Sequence, residues 1–403
     1  MATVVILGAG TGGQTAAHRL RQILPQSHRI VVIDRSREHV FSPSLPWLMT
    51  GQRVVAQITR PVQAMLPSGV EFHEAHVEAI DHAQKQVRAG GLVYEYDYLI
   101  IALGADLAME GVPGLAQGAH HYYDLASARR LWEALRQFPG GRVVLSVAGT
   151  PYKCPAAPHE GALLIEACLR AKGLRSRSEI DVYTPEPQPM PVAGPALGEA
   201  VRKQLETRGI GFHPRRRLVE VRREERRIVL EGGEEVSYDL LVAIPPHRCP
   251  AVVREAGLTD ESGWLPVDPR TLETRVPGVF ALGDVAAVRL SNGLFLPKAG
   301  VFAHGEAEVV ARRIAASVIG GEAADFDGTG SCWLETGQGE AAFAFGRFYA
   351  EPQPEVNLRS AGRAWHWGKV LFERYWLGRW PGRAVLRPLL RAGASLMGVP
   401  GQL

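Results

Sequence analysis

The stretch TVVILGAGTGGQ at residues 3–14 constrains the fold more than any other part of the chain. Gly8, Gly10 and Gly13 lie between an apolar run of β-branched character (3–7) and an Ala-rich helical run from Gln14 to about Leu24. The chemistry of a bound pyrophosphate explains each glycine. The first permits a tight turn, the second lets backbone approach the phosphates, and the third lets helix pack on strand. The phosphates then face a helix N-terminus, where free N–H groups and the dipole favour anions. A second strand at 29–33 ends at Asp34, whose carboxylate suits a ribose diol without a 2′-phosphate. Together these residues read as one βαβ unit.

At 403 residues the chain suits two or three domains. Forty-four glycines point to many tight turns and close backbone approaches. A net charge of +3 gives no argument for a nucleic-acid partner. Four cysteines do not make a disulfide scaffold, so a cysteine pair is better read as reactive. No apolar run reaches the ~18 residues that span a bilayer. Met1 passes at once into the first strand without a signal peptide, so the cytoplasm is the expected compartment.

The pattern predicts an α/β fold with two Rossmann-like dinucleotide-binding domains and a C-terminal membrane-associating region. YLIIAL (98–103) is a buried strand stopping at Gly104, followed by a helix near 126–137. RVVLSVAG (142–149) opens a second α/β unit with a helix near 159–172 and a strand at 179–183. VSYDLLVAIP (236–245) mirrors YDYLIIALG. GVFALGD (278–284) should return to the first domain, and 297–319 reads as a helix leading out of it. The expected division is 1–105 with 256–320, then 106–255, then 321–403. In the last part, short β-like segments fall at 340–348.

Residues 98–105 and 278–285 both end strands with small residues before a turn. With GAGTGG they resemble the three FAD fingerprints of the pyridine nucleotide–disulfide oxidoreductase superfamily, over roughly residues 1–320. The resemblance implies noncovalent FAD held by Gly8, Gly10, Gly13, Asp34, Gly104, Gly283 and Asp284, with Asp284 on a ribityl hydroxyl. Relatives carry a second glycine motif after the strand equivalent to 142–149, where NADH binds. This chain reads SVAGTPYKCPAAPHEGALLIEA there. Pro151, Pro155 and Pro158 stiffen the loop and lack N–H groups, so NAD(P)H is not the expected electron donor.

Cys154 in YKCPAAPHE and Cys332 in SCWLETGQGEAAFAFG, with PSLPW (43–47) and LPKAGVFAHGEAE (296–308), resemble the sulfide:quinone oxidoreductase family. The flavin subunit of flavocytochrome c sulfide dehydrogenase is a relative. The resemblance implies that Cys154 and Cys332 form a redox centre, accepting HS⁻ and passing two electrons to the flavin. Lys153 and the helix after Pro158 would favour a thiolate at Cys154, and Glu160 would accept a proton. Lys298, one of six lysines, would stabilise the reduced flavin. Val301 and Phe302 would touch the quinone ring, unless they are helix core. Cys168 reads as a small buried hydrophobe in ALLIEACL, and Cys249 as incidental. No metal site is expected.

Two departures stand out. The third cysteine of some family members is absent from HHYYDLASA, where His120 and His121 read as surface residues. Ser42 and Ser44 occupy the region where flavocytochrome relatives attach FAD through cysteine, so no thioether is expected.

From Trp365 onward, four of the eight tryptophans fall within 365–380. Arg374, Arg379, Arg383, Arg387 and Arg391 are interleaved with apolar residues. Trp at an interface and arginine at lipid headgroups suit a monotopic anchor. The alternative is a helix packed on the protein or in a homo-oligomer interface. The expectation is FAD-dependent sulfide oxidation with a membrane quinone as acceptor, on the cytoplasmic face of the cell membrane. The rivals are a type II NADH:quinone dehydrogenase, a sulfide dehydrogenase feeding a cytochrome, and a redox-sensing flavoprotein.

Overall fold

A computed structural model describes residues 1–378 and 380–399. Arg379 and residues 400–403 lie outside it, as do the side chains of 380–384 and Leu396. The tail expectation is therefore traced without Arg379 and without the Trp380 and Arg383 side chains.

Strand β1 (Thr3–Leu7) is buried over its last four residues, as befits a parallel strand covered on both faces. Helix α1 (Thr11–Ile23) follows, then β2 (Arg29–Asp34), β3 (Glu71–Glu74) and β4 (Tyr98–Ile101). A second parallel sheet comes from β5 (Gly141–Val147), helix α2 (Ala157–Ala171), β6 (Ser178–Tyr183), β7 (Ile210–His213) and β8 (Leu240–Ile244). Its order is β7-β6-β5-β8. Strand β9 (Val279–Ala281) then returns to the first sheet, whose order is β9-β4-β1-β2-β3, every pair parallel.

Alternation along the first sheet separates two cores. Val4, Ile6, Ile30, Val32 and Ile100 pack with α1 and with helix α3 (Gly300–Ile319). Val5, Leu7, Val31, Ile33 and Leu99 face the opposite layer with Cys249 and Trp264. The helical expectations hold to within a few residues, since Ala-rich and amphipathic runs carry their own period.

The C-terminal part is an antiparallel sheet of β10 (Thr329–Gly337), β11 (Glu340–Arg347) and β12 (Glu355–Gly362). Only the β11 region was legible in the sequence. The β10 segment, TGSCWLETG, carries no clean alternation and draws its order from pairing with β11, where Cys332 faces Ala344. Helices α4 (Arg363–Leu377) and α5 (Trp380–Leu396) close the described chain. Among the described residues no helix is long and apolar enough to cross a membrane.

Candidate active site

The glycine loop has the constraints of a dinucleotide cradle. Gly8 sits at φ +99°, and a Cβ there would lie 2.3 Å from the Ala102 carbonyl oxygen. A Cβ on Gly13 would lie 1.9 Å from the Gly8 oxygen. A Cβ on Gly10 would meet nothing within 4 Å, so its backbone faces open space. The Ala9 N–H donates to one Asp34 carboxylate oxygen at 2.6 Å, and the Ser36 N–H to the other at 2.8 Å. Asp34 therefore braces the loop as well as ending β2. Neither α1 nor α3 has a side-chain N-cap, and their N-termini adjoin, with Gly300 against Thr11. Uncapped N–H groups of two helices thus converge on the cradle, which fits an anionic dinucleotide.

Gly104 (φ +70°) also borders open space at the end of β4. Gly283 (φ +72°) opens the turn after β9, and its N–H donates to the buried Glu306 at 2.6 Å. Lys298 is buried, with Nζ donating to the carbonyls of Asp284 (2.6 Å) and Ala286 (3.1 Å). It lies 3.5 Å from the centre of the Trp264 ring. Burial pulls its ammonium down to about 8, against the nearby Asp284. Lys298 therefore clamps the Asp284 turn.

Cys154 and Cys332 meet. Both side chains pack against one small apolar cluster with Ala156, Leu334 and Ala344, though they come from a loop of the second α/β unit and from β10, and the Cys332 thiol donates to the Trp333 carbonyl at 3.3 Å. Both are free thiols. Cys154 precedes α2 with a left-handed backbone (φ +59°), a costly conformation for a non-glycine residue. Its N–H donates to the Lys298 carbonyl at 2.8 Å, and its carbonyl accepts from Ala157 at 2.8 Å. One thiol's backbone is thus tied directly to the residue that clamps the Asp284 turn. Cys154 and burial push the Cys332 thiol well above its usual range, while Lys369 pulls it back.

Beside them lies a buried charge cluster. Lys369 on α4 pairs with Glu160 on α2 at 2.6 Å, each side chain 5% exposed. His366, one turn earlier, bonds Glu335 of β10 at 2.9 Å. Burial raises Glu160 against the pull of Lys369. Burial also works against the Lys369 charge, yet Glu160 and Glu335 hold it above its usual value. Glu373 on the next turn of α4 accepts from Ser44 (2.6 Å) and Arg53 (3.0 Å). Trp376 then donates to His39 Nε2 at 2.9 Å, leaving His39 Nδ1 to donate to the Ala9 carbonyl at 3.2 Å. Thus α4 turns Lys369 and Glu373 inward, while Arg363 and Arg374 are exposed and Trp367 is 53% exposed.

Several sequence expectations change. His121 is buried, not at the surface, and bonds Ser127 Oγ at 3.1 Å. His120 is half-buried because its backbone bridges to β8 at Val242. Phe302 is core, edge-on to Phe348 at 5.0 Å and filling the space above Gly330, while Val301 is half-buried. Cys168 is only half-buried, whereas Cys249 is fully enclosed and its thiol is pushed up to about 11 by burial. The loop before α2 spans 148–156, against 8–10 before α1.

Sequence reasoning missed Lys369, Glu335, His366 and Glu373. The signal was present: polar residues at 366, 369 and 373, followed by Trp376, recur at helical spacing and mark one face of α4. It also missed the aromatic ladder beside Cys332. Trp333 stacks on Phe372 at 5.5 Å and tilts on Phe343 at 5.1 Å, and Phe343 stacks on Trp365 at 4.8 Å.

The family model described as pyridine nucleotide-disulphide oxidoreductase matches residues 2–307. The mitochondrial sulfide:quinone oxidoreductase of Mus musculus is 28% identical over 299 residues, covering 70% of this chain and 65% of that protein. The match therefore spans just under two thirds of the mouse enzyme's length. The sulfide-quinone reductase of Aquifex aeolicus is 24% identical, covering 93% of this chain and 90% of its own. The X-ray structure of the Aquifex aeolicus sulfide:quinone oxidoreductase shares the fold with a TM-score of 0.84 over 95% of this chain and 92% of that one, at 24% identity. NDH2 from Plasmodium falciparum, solved with NADH, also shares it, at TM-score 0.73 and 14% identity, covering 99% of each chain. The chain belongs to the pyridine nucleotide-disulphide oxidoreductase family and is an FAD flavoprotein.

Proposed function

We propose that this chain is a sulfide:quinone oxidoreductase that oxidises sulfide at Cys154 and Cys332 and delivers the electrons to a membrane quinone. The observation that carries the reading is the meeting of these two thiols beside the Lys369–Glu160 pair. The names of the mouse and Aquifex relatives support it. FAD would rest on Gly8, Gly10, Gly13, Asp34, Gly104, Gly283 and Asp284, and when bound it supplies a two-electron acceptor.

In the oxidised form the two cysteines are a disulfide. HS⁻ attacks one sulfur, so an S–S bond forms as the Cys–Cys bond breaks, leaving a persulfide on one cysteine and a thiolate on the other. The Lys369 ammonium stabilises that thiolate, and Glu160 is placed to hold the proton lost by the persulfide. Two electrons then leave the pair, and the sulfane sulfur departs to a further HS⁻ as the disulfide closes again. Quinone accepts the two electrons with two protons.

The aromatic ladder of Trp333, Phe372, Phe343 and Trp365 supports an apolar ring as acceptor, more directly than core Phe302. The outward surface of the tail supports docking to a lipid leaflet. Val385 and Leu389 are 63% and 59% exposed on one face of α5, with Arg387 and Arg391 on the other. We assign that leaflet to the cytoplasmic face of the cell membrane.

The test is anaerobic absorbance of the purified protein. Sulfide should bleach the flavin and a soluble quinone restore it, while Cys154→Ser and Cys332→Ser each keep FAD but lose bleaching by sulfide. Bleaching by NADH alone would move the chain to the NADH:quinone dehydrogenases, and sulfide turnover in either variant would refute the cysteine mechanism.

A further inference from the structure

A second buried carboxyl lies at the flavin end of the fold, away from the cysteine centre. Glu306 is almost fully enclosed on α3, and its Oε2 accepts the Gly283 N–H at 2.6 Å. That N–H belongs to the turn carrying Asp284. A cavity of about 10 Å³, the space of one water, is lined by Glu306, Gly283, Lys298, Ala299 and Phe302. Three ionisable groups face this carboxyl. Asp284 comes from the turn, Lys298 from the segment before α3, and Tyr349 from the segment after β11. Lys298 is already engaged by the Asp284 and Ala286 carbonyls and does not pair with Glu306.

This is the setting of a carboxyl balanced between two states. The Gly283 N–H favours the carboxylate, while burial and Asp284 favour the acid, and their contest raises the group to about 7. A one-water cavity gives a proton somewhere to arrive from.

We propose that Glu306 is a positioning residue that takes up one proton when the flavin is reduced and releases it on reoxidation. The inference rests on the flavin site, not on the identity of the electron donor. Two-electron reduction of a flavin with uptake of one proton adds a negative charge to the site. Glu306 then binds a solvent proton, its carboxylate becoming a carboxylic acid, so the added charge is offset. The electrons remain on the flavin throughout. In either state an oxygen of Glu306 still accepts the Gly283 N–H, so the turn bearing Asp284 keeps its place.

The test uses FAD-loaded protein reduced electrochemically, with proton uptake per flavin read from pH 6 to 8. Near neutrality wild type should take up more protons per flavin than Glu306→Gln, by up to one, the proton taken up on reducing the Cys154–Cys332 disulfide being common to both. Equal uptake in both proteins overturns the proposal. Should Glu306→Gln lose FAD, the reduced-minus-oxidised infrared difference spectrum of wild type decides. A carboxylic acid band appearing on reduction supports the proposal, and its absence overturns it. A protein that electrochemistry reduces but sulfide does not would refute the sulfide reading and leave this inference standing.

Discussion

Replacing Lys369 by Met removes the positive partner to which Glu160 is bonded. At 2.6 Å and an effective dielectric near 20, the attraction between the two charges is on the order of 6 kcal/mol before desolvation is set against it. Removing one member of such a buried pair costs about 3–5 kcal/mol, because the other is left enclosed and uncompensated. For a chain of 403 residues that is a fall in Tm of roughly 5 °C. Glu160→Gln should cost a comparable amount, since it strands the ammonium near Glu335. The double variant Glu160→Gln/Lys369→Met should lose much less than the two singles together. The assay is thermal unfolding of the FAD-loaded proteins, followed by tryptophan and flavin fluorescence. Singles within 1 °C of wild type, or a double variant equal to their sum, would refute the claim that these two charges exist for one another.

Three further outcomes are expected. Gly13→Ala should fold poorly and hold little flavin, since its Cβ would enter the Gly8 carbonyl at 1.9 Å, which flavin absorbance per protein reads directly. Cys332 should alkylate more slowly than an ordinary thiol at pH 8. Its rate should climb as pH rises further, because its thiol is pushed up by Cys154 and by burial, and Lys369→Met should slow it again. Mass spectrometry of the labelled Cys332 peptide measures both. Changing Val385 and Leu389 to Glu should abolish co-sedimentation with anionic vesicles while leaving flavin content unchanged, and unchanged sedimentation would remove α5 from the membrane surface.

The first sheet was legible because its signals are local. TVVIL, GAGTGG and Asp34 each carry their reason within a few residues, and the helices announce themselves by period. The cysteine centre was legible only as two separate segments, since no local rule says that a loop at 154 touches a strand at 332. The α4 face was missed for a different reason. Its aromatic and basic composition invites an outward reading, yet Lys369 and Glu373 point inward to partners on α2 and in the 44–53 segment. His121 was misjudged likewise, its burial being set by packing against the helix Leu125–Gln137. Tertiary pairing of polar groups leaves little trace in one sequence.

The separation of Cys154 from Cys332 has a consequence for biogenesis. At a synthesis rate of about 5–20 residues per second, the second thiol emerges on the order of ten seconds or more after the first. Both parallel sheets are complete in the chain by Ala281, before β10 exists. A nascent chain can therefore close its dinucleotide cradle while Cys332, the partner of Cys154, is not yet made. Thiol chemistry arrives only with β10, and its charge cluster later still, with α4. The ribosome thus delivers a folded, redox-silent body first and arms it last.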